Sequence, residues 1–192
     1  MRLRIIGDGD RDESVLPALI RGIVSHPVSH EFKVWARLHG AGKGYAAKLD
    51  FSTRVARDLD FDGVAAVVDG DRQGKPRLAE LRRGRSEARA AMPSFPTAIG
   101  CAEPHLEAWL LDDPVAVKEG LNLPSSTMLQ SPSKCENPKL ELERRHHESA
   151  NRHLTIRAAM ERIAAGVVET RCGQRDSTGF AAFAKELRSE FP

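Results

Sequence analysis

Short apolar runs alternate with longer amphipathic segments over the first half of the chain. Leu3 to Ile6 is an apolar run that stops at Gly7-Asp8-Gly9-Asp10-Arg11-Asp12-Glu13, and from Ser14 apolar positions recur at Val15, Leu16, Leu19, Ile20 and Ile23. This spacing predicts a strand, an acidic turn, and a helix with acidic residues at its amino-terminal end and Pro17 in its first turn, where proline is tolerated. Phe32 to Trp35 predicts a second strand, Arg37 to Tyr45 a glycine loop, and Phe51 to Leu59 a helix. Gly63 to Val68 is apolar without alternation, which predicts a third strand buried on both faces. An arginine-rich helix is predicted from Pro76 through Met92, and a fourth strand over Thr97 to Ala102. Strands alternating with helices predict a small parallel four-stranded α/β sheet with helices on both faces.

After residue 102 the pattern becomes helical with proline breaks. Glu103-Pro104-His105-Leu106-Glu107 places Pro104 in a first helical turn and sets Glu103 and Glu107 four apart, on one helix face at the end of the fourth strand. Leu123 to Pro138 predicts a loop, and helices are predicted over Lys139 to Glu148, Thr155 to Val168 and Ser177 to Leu187. The expected organisation is an α/β core over 1–102 and a helical extension over 103–192 packed on it.

Composition narrows the setting. Charged residues are 29% of the chain and the net charge is +2, so a nucleic-acid contact needs a local basic patch. The run from Arg77 to Arg89 is such a patch, although runs of this kind are more often a solvated helix face. Cys101, Cys135 and Cys172 are widely spaced, which predicts reduced thiols in a cytoplasmic protein. No apolar run approaches membrane-spanning length and the amino terminus lacks a signal-peptide core.

Two acidic turns carry the chemistry. Val67-Val68-Asp69-Gly70-Asp71-Arg72-Gln73-Gly74-Lys75 sets two aspartates about one glycine at the carboxyl end of a buried strand, where open α/β sheets bind ligands. The glycine allows a tight bend and leaves room for a cation. Taken alone, the segment equally reads as a polar turn. The first turn, Asp8 to Glu13, has the Asp-x-Asp-x-Asp beginning of a calcium loop but lacks glycine at its sixth position and glutamate at its twelfth. Gly40-Ala41-Gly42-Lys43-Gly44 fails the phosphate-loop spacing, which leaves Lys43 as a phosphate contact on an ordinary loop.

In this order and at this separation, Asp8-Gly9-Asp10-Arg11-Asp12 and Asp69-Gly70-Asp71-Arg72-Gln73-Gly74 resemble the two acidic turns of the TOPRIM domain of topoisomerases, primases and small nucleases. Glu103-x-x-x-Glu107-Ala108-Trp109-Leu110-Leu111-x-Asp113 is similar to a motif of a TOPRIM-like bacterial family found beside ATPase genes of defence loci. The resemblance implies adjacent first and third strands, with Asp8, Asp69 and Asp71 in one cleft as catalytic residues and ligands of Mg2+ or Mn2+. It further implies Asp12, Glu103 and Glu107 as supporting ligands, phosphate contacts from Arg72 and Lys75 beside that of the Lys43 loop, phosphodiester hydrolysis on DNA or RNA, and an ATPase partner. Asp8 stands where the family has glutamate and reaches one methylene less far. A non-catalytic, metal-dependent nucleic-acid or nucleotide-binding subunit is the alternative.

Overall fold

The computed structural model describes residues 1–39, 42–71 and 73–192. Four strands, β1 (Arg2–Gly7), β2 (Ser29–Val34), β3 (Gly63–Asp69) and β4 (Thr97–Ala102), form one sheet in the order β2-β1-β3-β4. Every neighbouring pair is parallel. β1 and β3 are adjacent, with Leu3 opposite Gly63 and Ile6 opposite Ala66, so the turns that follow them emerge side by side.

Helices α1 (Asp12–Ile23), α2 (Gly44–Asp58) and α3 (Gly74–Ala91) connect the strands. After β4 come α4 (Leu106–Leu111), α5 (Pro114–Leu121), α6 (Pro138–Glu148), α7 (Ile156–Gly166) and α8 (Phe180–Glu190). Alternate residues of each strand feed opposite faces, as a pleated strand requires. Leu3, Ile5, Ala65, Val67 and Ala98 join a core with α1, α8 and the later helices, while Ile6, Val64, Ala66, Val68 and Ile99 join a second core under α2 and α3. The helical extension therefore shares a core with the sheet, and Trp109 and Phe183, both fully buried, stack within it.

Element boundaries differ from expectation mainly where polar residues cap or extend helices. α2 starts at Gly44 instead of Phe51, because the polar first turn Gly44-Tyr45-Ala46-Ala47-Lys48 is already helical while only Ala46 in it is fully buried. α5 was not separated from the preceding segment by pattern alone. Asp112 ends α4 and Asp113 caps α5, its carboxylate accepting from the amides of Val115 and Ala116, and Pro114 occupies the first helical position. The expected shared helix face for Glu103 and Glu107 is not formed. The helix begins at Leu106, which leaves Glu103 in the turn before it, and the two carboxylates point to different places.

Among the described residues no helix is long and apolar enough to cross a membrane.

Candidate active site

The carboxyl ends of β1 and β3 bring Asp8 and Asp69 into direct contact, with the Asp69 amide donating to Asp8 Oδ2. Asp12, the first residue of α1, turns back over its own loop, and its Oδ2 accepts from the amides of Asp8 (2.7 Å) and Gly9 (3.2 Å). These residues, with Asp10, Arg11 and Glu107, line a cleft of about 530 Å3 whose far wall is Asn137, Lys139, Leu140 and Glu143 at the start of α6. Tyr45 approaches Asp8 from the other side, its hydroxyl 3.4 Å from Oδ1, where a smaller hollow of about 280 Å3 is lined by Trp35, Gly44 and Lys48.

The cleft concentrates negative charge in partly desolvated surroundings. Burial pushes the Asp12 carboxyl up to about 7, reinforced by the charge of Asp69 and opposed by the two amides it accepts from. Burial also raises Asp8, with Asp69 adding to it while the Asp69 amide, Arg77 and Tyr45 work against it. Glu107 is raised for the same first reason and again by Asp69, against its own amide, Lys139 and His105. Cations answer part of this charge. Lys139 Nζ lies 3.2 Å from Asp69 Oδ2, and Arg11 spans the cleft from Glu143 (2.7 Å) toward Glu107 (3.9 Å). Burial would lower the Lys139 pKa, but the attraction of Asp69 and Glu107 outweighs it and holds it raised.

Asp71 stands apart from this cleft. It has a φ of 46°, a left-handed conformation that aspartate tolerates better than most residues, and it turns outward to Arg77, 2.7 Å away. The expected convergence is thus of Asp8 with Asp69, joined by Asp12 and Glu107, while Asp71 stays at the rim. His105 connects the two groups, with Nδ1 3.4 Å from Asp69 Oδ2 and 3.1 Å from Asp71 Oδ1. The Nδ1 atom is buried and neither contact is aligned as a hydrogen bond.

Glu103 corrects the reading of the glycines. A Cβ at Gly70 would lie 2.0 Å from Glu103 Oε2 and one at Gly74 would lie 2.3 Å from it, so these glycines make room for a glutamate and not for a cation beside Asp69. With Gly70 N donating to Ala102 O and Asp71 N to Pro104 O, the segment after β4 clamps the second acidic turn. Glu103 itself opens onto a separate hollow with Ser133, Lys134 and Cys135, away from Asp8 and Asp12.

The remaining expected contacts divide. Arg72 lies outside the described residues. Lys43 and Lys75 are exposed and line neither hollow beside Asp8. Arg77 is better placed, because its guanidinium donates to the Asp69 carbonyl as well as pairing with Asp71. His105, Lys139 and Arg11 are not site residues by sequence pattern, whereas Arg77 belongs to the basic run expected to contact phosphate. His105 was legible, as it sits between Glu103 and Glu107, whereas Lys139 carried no local signal. Within the later motif Asp113 is structural. It is fully buried, capping α5 and accepting from Val168 N and Arg171.

Among the described residues no three histidine, cysteine, aspartate or glutamate side chains are already arranged to hold a metal ion. Compared with protein-family models, with curated proteins and with solved structures, the chain has no match.

Proposed function

We propose that the cleft between Asp8, Asp12, Asp69 and Glu107 performs metal-dependent phosphodiester hydrolysis on nucleic acid. The observation that carries this reading is the gathering of four carboxylates at the carboxyl edge of adjacent parallel strands, whose charge Lys139, Arg11 and Arg77 answer only in part among the described residues. The likeness of both acidic turns to TOPRIM turns points the same way. The donor chemistry fits a hard divalent ion such as Mg2+ or Mn2+, because every candidate ligand atom is a carboxylate oxygen. Asp8 and Asp69 would hold it, with Asp12 or Glu107 completing the set once Lys139 gives way. The chemistry supplied by such an ion is polarisation of phosphate oxygens and a lower pKa for an attacking water.

The chain's own residues do the rest. Arg77 and Lys139 present cations at the two sides of Asp69, where they can hold phosphate oxygens. Asp12, held near neutrality by burial and by Asp69, is suited to accept a proton at its free oxygen. His105, its buried Nδ1 lying between Asp69 and Asp71, ties the rim carboxylate to the cleft. A second reading, metal-linked binding without cleavage, is favoured by one observation. Both oxygens of Asp69 are already engaged, by Leu106 N at 2.9 Å and by Lys139.

Incubation of the purified protein with labelled single- and double-stranded DNA and RNA, in Mg2+, Mn2+ or chelator, separates these readings. Metal-dependent cleavage that is lost in Asp69→Asn supports hydrolysis. Binding without cleavage above the chelated control, with a candidate ATPase partner present as well as absent, supports the second reading. Cleavage by Asp69→Asn equal to wild type at matched purity refutes the assignment.

A further inference from the structure

A second groove, of about 360 Å3, runs over the edge of the sheet between α3 and α8. Ile99, Gly100 and Cys101 of β4 form its floor, and Arg82, Arg85, Arg89 and Lys185 its walls. Spacings of three and four place the three arginines on one face of α3. That helix starts at Gly74 in the second acidic turn and carries Arg77, already engaged with Asp69 and Asp71. At ~1.5 Å per residue the helix sets the groove arginines about 8 to 18 Å beyond Arg77, leading away from the acidic cleft.

Charge in the groove is only half balanced. Four cations face two carboxylates, Glu186 and Glu190. Arg85 pairs with Glu186 and Arg89 with Glu190. These pairs also cover the outer edge of β4, where Thr97 donates its amide to Glu190 (2.9 Å) and accepts at its carbonyl from Arg85 (3.4 Å). Edge protection accounts for Arg85 and Glu190 but not for the remainder. Among the described residues Arg82 and Lys185 have no ion-pair partner, and Arg89 Nε is buried with no acceptor. The Cys101 thiol at the floor is pushed up to about 12, by burial first, so it stays a protonated, unreactive thiol.

We propose that the α3/α8 groove carries the phosphate backbone of a nucleic-acid strand that enters or leaves the acidic cleft. This rests on the hydrolytic reading for the identity of the strand, but the groove is tested independently of it. Binding of a labelled single-stranded oligonucleotide is measured in chelator as a function of salt for wild type, Arg82→Ala/Lys185→Ala, and the control Arg152→Ala/Arg162→Ala, which removes the same charge from outside the groove. Loss of two phosphate contacts flattens the slope of log affinity against log salt by about 1.4. Between about 50 and 200 mM salt the wild type should therefore lose affinity about sevenfold more than the groove variant. The control should keep the wild-type slope, and Arg82→Lys/Lys185→Arg should restore it.

Equal slopes for the groove variant and the control, or no oligonucleotide binding by wild type, overturn the groove. Competition by inorganic phosphate or a mononucleotide as effective as that by the oligonucleotide, at equal phosphate, also overturns it, in favour of a small-anion pocket. Hydrolysis of a dinucleotide, too short to reach the groove, reports the acidic cleft alone. A slope change without hydrolysis defeats the hydrolytic reading and leaves the groove standing, while hydrolysis with unchanged slopes does the reverse.

Discussion

Replacing Asp12 by Asn should stabilise the protein at alkaline pH and leave it nearly unchanged at acid pH. The Asp12 carboxyl is raised from 3.8 to about 7 in the folded state, by burial and by the charge of Asp69. Between these values the folded protein holds a proton that the unfolded chain has lost. Stability therefore falls as pH rises from about 4 to 7, then levels off. The rise from 3.8 to about 7, at ~1.4 kcal/mol per pH unit, sets a ceiling of about 4 kcal/mol, and because Asp12 keeps some solvent contact about half of this is a fair lower figure. Asn retains an oxygen to accept from the Asp8 and Gly9 amides and has no charge to lose. For a chain of this size about 2 to 4 kcal/mol corresponds to a rise in Tm of roughly 5 to 15 °C at pH 8, shrinking toward zero near pH 4. Thermal unfolding of both proteins in chelator from pH 4 to 8 measures the gap. A gap independent of pH, or one that widens toward acid, would refute the assigned burial and the Asp69–Asp12 repulsion. Mg2+ added at pH 8 should then stabilise the wild type more than the variant, because a bound cation relieves the same repulsion.

Gly70→Ala should cost about 1 to 3 kcal/mol, since the new Cβ falls 2.0 Å from Glu103 Oε2. Adding Glu103→Ala should recover part of that loss in urea melts, and simple additivity of the two changes would show that they do not meet. Asp113→Ala should destabilise by about 3 to 5 kcal/mol, because it removes the α5 cap and strands Arg171, and a loss under about 1 kcal/mol in the same assay contradicts this. Lys139→Gln removes a cation that competes for Asp69 and should tighten Mn2+ binding by about tenfold in calorimetry. Unchanged or weaker binding would mean that Asp69 is not a ligand.

The sheet was readable because each strand is a short apolar run and each connection has helical spacing, so fold class, strand count and the placing of Asp8 and Asp69 at strand ends came from period alone. The site was less readable. Asp69-Gly70-Asp71 suggests two carboxylates turned to one point, yet Arg77 and the left-handed backbone at Asp71 draw that residue outward. Glu103 and Glu107 share a helical spacing only if the helix starts early. The turn that seats Glu103 against Gly70 and Gly74 delays it to Leu106. Lys139 and Glu143 reach the cleft through packing of α6 beside α4, a long-range arrangement without a local motif. The basic helix was visible as a run of arginines. Its division into a stripe facing α8 and an exposed remainder required the partner helix.

The covering of β4 has a consequence for how the protein is made. β4 is an edge strand, and its outer side is closed by α8, through Glu186 and Glu190 and through Phe183 packed over Gly100. Synthesis proceeds from the amino terminus, so the ribosome releases β4 long before α8 exists. Throughout that interval the nascent sheet shows an unpaired strand edge beside bare apolar surface, the template on which partly made chains associate. Substitutions in α8 that loosen this cover should act first on the soluble yield of newly made protein, at growth temperatures where the finished molecule is still folded.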